Sequence, residues 1–155
     1  MAALQLLAME RPLRVVAPCP APGKPHTPAR STEVSRFIWL IREDKRLSPA
    51  ARSLFQSPKN KVFLSAISAW EIAVKHYAGK LPLARPAHEY IPMEREKHGI
   101  ATLDLDETAT FELRKLPAIH ADPFDRLLIC QAIAHQMTIL TPDPLIHQYP
   151  VSVKW

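Results

Sequence analysis

Glycine is scarce in this chain: three in 155 residues, at Gly23, Gly79 and Gly99. Neither a GxGxxG fingerprint nor a P-loop can be assembled from them, which leaves dinucleotide redox chemistry and P-loop nucleotide hydrolysis as poor candidates. Ser65 and Ser68 lack the flanking glycines of an esterase elbow. Cysteine is nearly absent as well. Cys19 and Cys130 form no ligand pattern, and Cys130 falls in an apolar stretch as a small core residue. No apolar run approaches the ~18 residues of a membrane-spanning helix. The apolar opening Met1–Ala8 lacks the basic front of a secretory signal. A reducing, cytoplasmic setting with no membrane partner is the expectation. His76, His88, His98, His120, His135 and His147 are dispersed and make no HExxH pair. His120, close to Asp122, reads as a surface loop residue, with contact to a phosphate or base as the sharper alternative.

What is present is ordinary for a globule: 47% hydrophobic and 23% charged residues, in a chain long enough to bury one real core. Twenty Lys and Arg against fifteen Asp and Glu give a formal charge of +5. That balance favours polyanionic partners only modestly, because the surplus is scattered along the chain.

Residues 1–35 and 36–155 read differently. Five prolines crowd Ala17 to Ala29, a density no packed element tolerates. Within this first segment only Leu13-Arg14-Val15-Val16 suggests a short strand, and the segment is expected to be poorly ordered. From Phe37 the pattern is regular. A helix begins at Phe37–Ile41, and Ser48-Pro49 caps a second that ends near Ser57. Lys61–Leu64 reads as a buried strand, Ser65–Tyr77 as a helix closed by Gly79, and Ala87–Lys97 as another helix. Further strands are expected at Ile100–Leu103, Thr138–Thr141 and Val151–Val153. Helices are expected over Asp106–Lys115 and from Asp122 to His135. Such alternation predicts an α/β protein: a parallel sheet covered on both faces.

Acidic residues recur at strand–helix junctions. Asp122 and Asp125 open one helix, Asp143 follows the next strand, and Glu71 follows the strand at Lys61–Leu64. In a parallel sheet all these places lie at one edge, where ligands collect. Each acid also has a plain local use. Asp122-Pro123-Phe124-Asp125 is a capping box, Glu71 can reach back to a capping Ser68, and Asp143 between two prolines can shape a turn. Together they suit a hard divalent cation that prefers oxygen ligands, since mutual repulsion disfavours such a cluster without one. Trp70, Ile67, Val74 and Tyr77 form a stripe at helical spacing and read as core. Arg126 reads as a surface or salt-bridge residue, or more sharply as a phosphate contact.

The combination of Ser65-Ala66-Ile67-Ser68-Ala69-Trp70-Glu71-Ile72-Ala73-Val74-Lys75 with Asp122-Pro123-Phe124-Asp125-Arg126-Leu127-Leu128-Ile129 and Thr141-Pro142-Asp143 resembles the PIN-domain ribonucleases. It is most similar to the VapC-like toxins of type II toxin–antitoxin pairs. The resemblance runs from Phe37 to Trp155. It implies a three-layer α/β/α fold with a central parallel sheet, a homodimer, and endonucleolytic RNA cleavage with Mg²⁺ or Mn²⁺, restrained by a cognate antitoxin. It further implies that Glu71, Asp125 and Asp143 bind the metal, with Asp122, Thr141 and Arg126 as auxiliaries.

The family's first strand normally ends in Asp-Thr-His just before the helix matching Phe37–Ile41. Here that stretch is Ala29-Arg30-Ser31-Thr32-Glu33-Val34-Ser35-Arg36, with no aspartate, and Glu33 falls at the register of the missing acid. The first strand and its acid are therefore expected to be absent. Codons for Arg30-Ser31-Thr32 such as CGC TCG ACN read Leu-Asp in a shifted frame, so residues 1–35 are expected to arise from a frameshift or misplaced start. The alternatives to an active toxin are a catalytically impaired relative that retains antitoxin binding or dimerisation, and a nucleic-acid-binding module without chemistry.

Overall fold

The computed structural model describes residues 14–17, 36–42, 44–45 and 47–155. The chain runs from β1 (Arg14–Ala17) through α1 (Arg36–Ile41) and α2 (Pro49–Gln56) to β2 (Lys61–Ser65). It continues through α3 (Ala66–Tyr77), α4 (Ala87–His98), β3 (Ala101–Leu103) and α5 (Glu107–Phe111). A 3-10 turn over Glu112–Lys115 leads towards α6 (Pro123–Ala134), β4 (Thr138–Leu140) and, last, β5 (Ser152–Lys154). The sheet has five strands in the order β3-β2-β1-β4-β5, all paired in parallel.

The position expected to be missing is filled. β1 occupies the centre of the sheet, with Val15 opposite Val62 on one side and Thr138 on the other. A strand there needs apolar side chains on both faces. Val15 and Val16 supply them, and both are fully buried. Their β-branched side chains suit an extended backbone, which explains how so short a stretch holds the centre. The rest of the N-terminal segment, including Cys19, the Arg30–Thr32 stretch and Glu33, lies outside the described residues, as does the frame question.

The strands alternate their side chains between two cores. Val15, Val62, Leu64 and Leu140 face a cluster that includes Phe37, Ile38, Ile72, Tyr90 and Ile91. Val16, Phe63 and Ile139 face Leu128, Ile129, Ile146 and Tyr149. The result is the expected three-layer α/β/α arrangement.

Local signals account for most boundaries. The Ser48 hydroxyl accepts from the Ala51 N–H at 3.1 Å, and Pro49 opens α2. Gly99 ends α4 with φ of 63°, a left-handed conformation that favours glycine. The helix expected over Asp106–Lys115 divides into α5 and the 3-10 turn. The last strand is displaced by one residue from Val151–Val153.

α3 departs from expectation on one face. Ile67 is buried, but Trp70, Val74 and Tyr77 are 52%, 43% and 65% exposed. The helix rests on the protein through Ile67, Ser68, Glu71 and Ile72, which rotates the rest of the stripe outwards. Its N-cap is Ser65 rather than Ser68: the Ser65 hydroxyl accepts from the Ile67 N–H at 3.1 Å.

Candidate metal centre

The carboxyl ends of β2 and β4 and the start of α6 meet at one edge of the sheet. Asp122 caps α6, its Oδ1 accepting from the Phe124 N–H at 2.7 Å and the Asp125 N–H at 3.4 Å. Asp122 thus performs the capping that its sequence position suggested. Capping also releases the next acid: Asp125 turns into the protein and is only 1% exposed. Asp143 arrives from the loop after β4. Its Oδ1 accepts from the Leu145 N–H at 2.9 Å, and its own N–H donates to Thr141 Oγ1 at 3.1 Å. Thr141 therefore braces Asp143 through the backbone, and the turn fixes one carboxylate oxygen while Oδ2 reaches the site.

Oδ2 of both aspartates approaches His120. Its Nε2 lies 3.2 Å from Asp125 Oδ2 and 3.8 Å from Asp143 Oδ2. One donor atom from each of His120, Asp125 and Asp143 falls within 4.8 Å of the other two. Small side-chain rotations would bring such a set onto a single cation. His120 is buried, contrary to the surface-loop expectation. Its backbone N–H donates to Tyr149 Oη at 2.7 Å, a partner 29 residues away. That tether draws the histidine inwards, and no local pattern reveals it. The available clue is its place two residues before an N-cap.

Glu71 reaches the neighbourhood from α3 but is not one of that trio. Its Oε1 pairs with Lys75 Nζ at 2.8 Å, one turn along the helix, and its buried Oε2 has no hydrogen-bond partner among the described residues. Burial pushes its pKa from the ordinary 4.5 to about 7, opposed by Lys75 and reinforced by the charges of Asp125 and Asp122. A carboxylate so placed gains from an approaching cation, and this donor chemistry fits a divalent metal.

Two contacts set the spacing of the arms. The rings of Trp70 and Phe124, neighbours in sequence of Glu71 and Asp125, pack with centroids 4.9 Å apart and join α3 to α6. Gln131, fully buried on α6, accepts from the Ser65 hydroxyl and donates to the Asp104 carbonyl at 2.9 Å. It ties together the ends of β2 and β3. Among the described residues Arg126 makes no ion pair with the carboxylates; its charge acts on Cys130, partly offsetting the rise in thiol pKa that burial causes.

Comparison with known proteins bears on the fold and on the family. A chain from the crystal structure of VapBC2 from Rickettsia felis, bound to a DNA fragment from their promoter, superposes with a TM-score of 0.55 at 15% identity. The match covers 76% of this chain and 90% of that one, and it shows the fold. Ribonuclease VapC16 of Mycobacterium tuberculosis is 38% identical over 63 residues, 41% of this chain and 45% of the relative. The alignment thus spans less than half of that ribonuclease. The family model described as PIN domain matches residues 34–151, most of the chain and all of the elements that bear the acids. By that match, the chain is a member of the PIN-domain family.

Proposed function

We propose that the chain is the toxin of a type II toxin–antitoxin pair, a cytoplasmic endoribonuclease that uses Mg²⁺ or Mn²⁺. The observation that most supports this is the convergence of Asp125, Asp143 and His120 within 4.8 Å at the carboxyl edge of a parallel sheet. Asp125 and Asp143 would hold the cation, with Glu71 completing the oxygen donors. Bound there, a divalent cation supplies a Lewis acid for phosphate oxygens and a water of lowered pKa.

The protein's own share is positional and electrostatic. The turn at Asp143, whose Oδ1 accepts from the Leu145 N–H, aims that carboxylate before substrate arrives, and burial on a capped helix confines Asp125. Without a counter-charge, these acids repel an RNA backbone. Arg126 and the scattered lysines and arginines are the candidates for holding flanking phosphates, which would make affinity fall with salt. Trp70, Val74 and Tyr77 leave an apolar surface beside Glu71, continuing a groove of about 240 Å³ lined by Ile67, Trp70, Leu105 and Phe124. We assign this surface to the antitoxin and regard the active toxin as a homodimer. No helix among the described residues is long and apolar enough to cross a membrane.

β1 offers Arg14, Val15, Val16 and Ala17, none of them acidic, so the cation would be held by residues of β2–α3, α6 and the loop after β4. The test is cleavage of a mixed RNA pool by the purified chain. Activity that needs Mn²⁺ or Mg²⁺, stops with chelator and disappears in Asp125→Asn supports the assignment. Absence of cleavage with either metal, while the antitoxin still binds, identifies the impaired relative instead.

A further inference from the structure

The buried run Leu128-Ile129-Cys130-Gln131-Ala132 in α6 contains one amide among hydrocarbon and thiol groups. A buried amide is costly unless both of its ends are bonded. Gln131 meets that condition with partners from two other segments. Its Nε2 donates to the Asp104 carbonyl, and its Oε1 accepts from the hydroxyl of Ser65, the last residue of β2 and the cap of α3. The same hydroxyl oxygen accepts from the Ile67 N–H. One side chain on α6 is therefore bonded to the residue from which α3 starts.

We infer that Gln131 is a positioning residue for cation uptake: through Ser65 it fixes the angle between α3 and α6, and so the separation of Glu71 from Asp125. The inference rests on the proposal that this is a metal-dependent nuclease site. Glu71 lies outside the trio of His120, Asp125 and Asp143, so its approach to a shared cation depends on how α3 is set against α6. Glu71 stands six residues after Ser65, and Asp125 six residues before Gln131. Six helical residues span roughly 9 Å, so a tilt of about 10° at one end displaces the other by about 1.5 Å. A binding constellation tolerates only about 0.5 Å. The Trp70–Phe124 ring contact is a second link, next in sequence to the two acids. A single link is a pivot, whereas two separated links set an angle.

Titration calorimetry of the full chain with Mn²⁺ at one fixed pH separates positioning from packing. Gln131→Met keeps the length of the side chain and removes both hydrogen bonds. Mn²⁺ affinity is expected to fall about tenfold in this variant, the size of loss typical when groups behind a metal's ligands are removed. Ser65→Ala should show the same loss, and the two changes together no more than either alone, because both residues act through one bond. Two controls weaken the fold elsewhere and should keep wild-type affinity: Ile91→Ala in the core beneath α4, and Ser48→Ala, which removes the cap of α2. Unchanged affinity in Gln131→Met overturns the inference, as does an equal loss in Ile91→Ala or additive losses in the double variant. If Gln131→Met does not fold, Ser65→Ala measured against Ser48→Ala decides by the same signs. Failure of wild type to take up Mn²⁺ sinks the nuclease assignment and this inference together, whereas uptake that is indifferent to Gln131→Met sinks the inference alone.

Discussion

Two arms bring acid to the same edge of the sheet, and they are prepared differently. On the α6–β4 arm, Asp122 caps the helix that carries Asp125, a hydrogen-bonded turn holds Asp143, and the buried Asp125 carboxylate faces His120. On the α3 arm, Glu71 is held by Lys75 from its own helix and keeps one buried oxygen with no hydrogen bond from the described residues. Asp143 is set by its turn before any ligand arrives, while Glu71 relies on a local counter-charge that an incoming cation can replace. Preorganisation and responsiveness are thus divided between two helices joined by one aromatic pair.

The largest effect should fall on the prepared arm. Asp125→Asn is expected to lower metal-dependent RNA cleavage by about two to three orders of magnitude, measured as initial rates. A rate within about tenfold of wild type would mean that Asp125 is not central. The scaffolds beneath the arms should be equivalent. Ile72 in α3 and Leu128 in α6 are both fully buried, and either change to alanine should cost about 2–5 kcal/mol in denaturant unfolding. A gap of more than about 2 kcal/mol between them would place the difference in packing and not in electrostatics.

The responsive arm is tested by pH. Folding raises the pKa of Glu71 from 4.5 to about 7, so between those values the folded state holds more of its proton than the unfolded chain does. This group's contribution to stability is therefore largest below 4.5 and declines as pH rises to about 7. Glu71→Gln should remove that decline in metal-free thermal melts and make the protein more stable than wild type above pH 7, while slowing cleavage by about tenfold. Wild-type and Glu71→Gln melts that track each other across pH would refute the assigned environment. The smallest effect is expected at Gln136, the joint between α6 and β4, whose φ of 52° strains a side-chain-bearing residue. Gln136→Gly should stabilise the fold by about 0.5–1 kcal/mol and leave Mn²⁺ affinity unchanged.

The sequence made the regular elements legible where the signal is local. Ser48-Pro49 and Asp122-Pro123 mark helix starts because capping chemistry is contained within four residues. Glu71, Asp125 and Asp143 were readable as one edge of a parallel sheet because alternation alone determines that geometry. Three things were not readable. β1 is central through its pairings with Lys61–Leu64 and Thr138–Ile139, distant partners that its proline-rich surroundings conceal. His120 is drawn inwards by Tyr149, far along the chain. Periodicity placed Trp70 and Tyr77 on a stripe with Ile67, but it cannot tell which flank of a stripe the neighbouring layer covers.

The buried amide of Gln131 has a consequence for what the family member can become. Its oxygen meets a hydroxyl and its nitrogen a carbonyl, so the group has a polarity as well as a shape. Glutamate would match it atom for atom and still set an oxygen against the Asp104 carbonyl. Leucine would fill the space and abandon both. Drift at this position is barred by direction and not by size, and the sheet edge keeps its gauge as the surface around it changes.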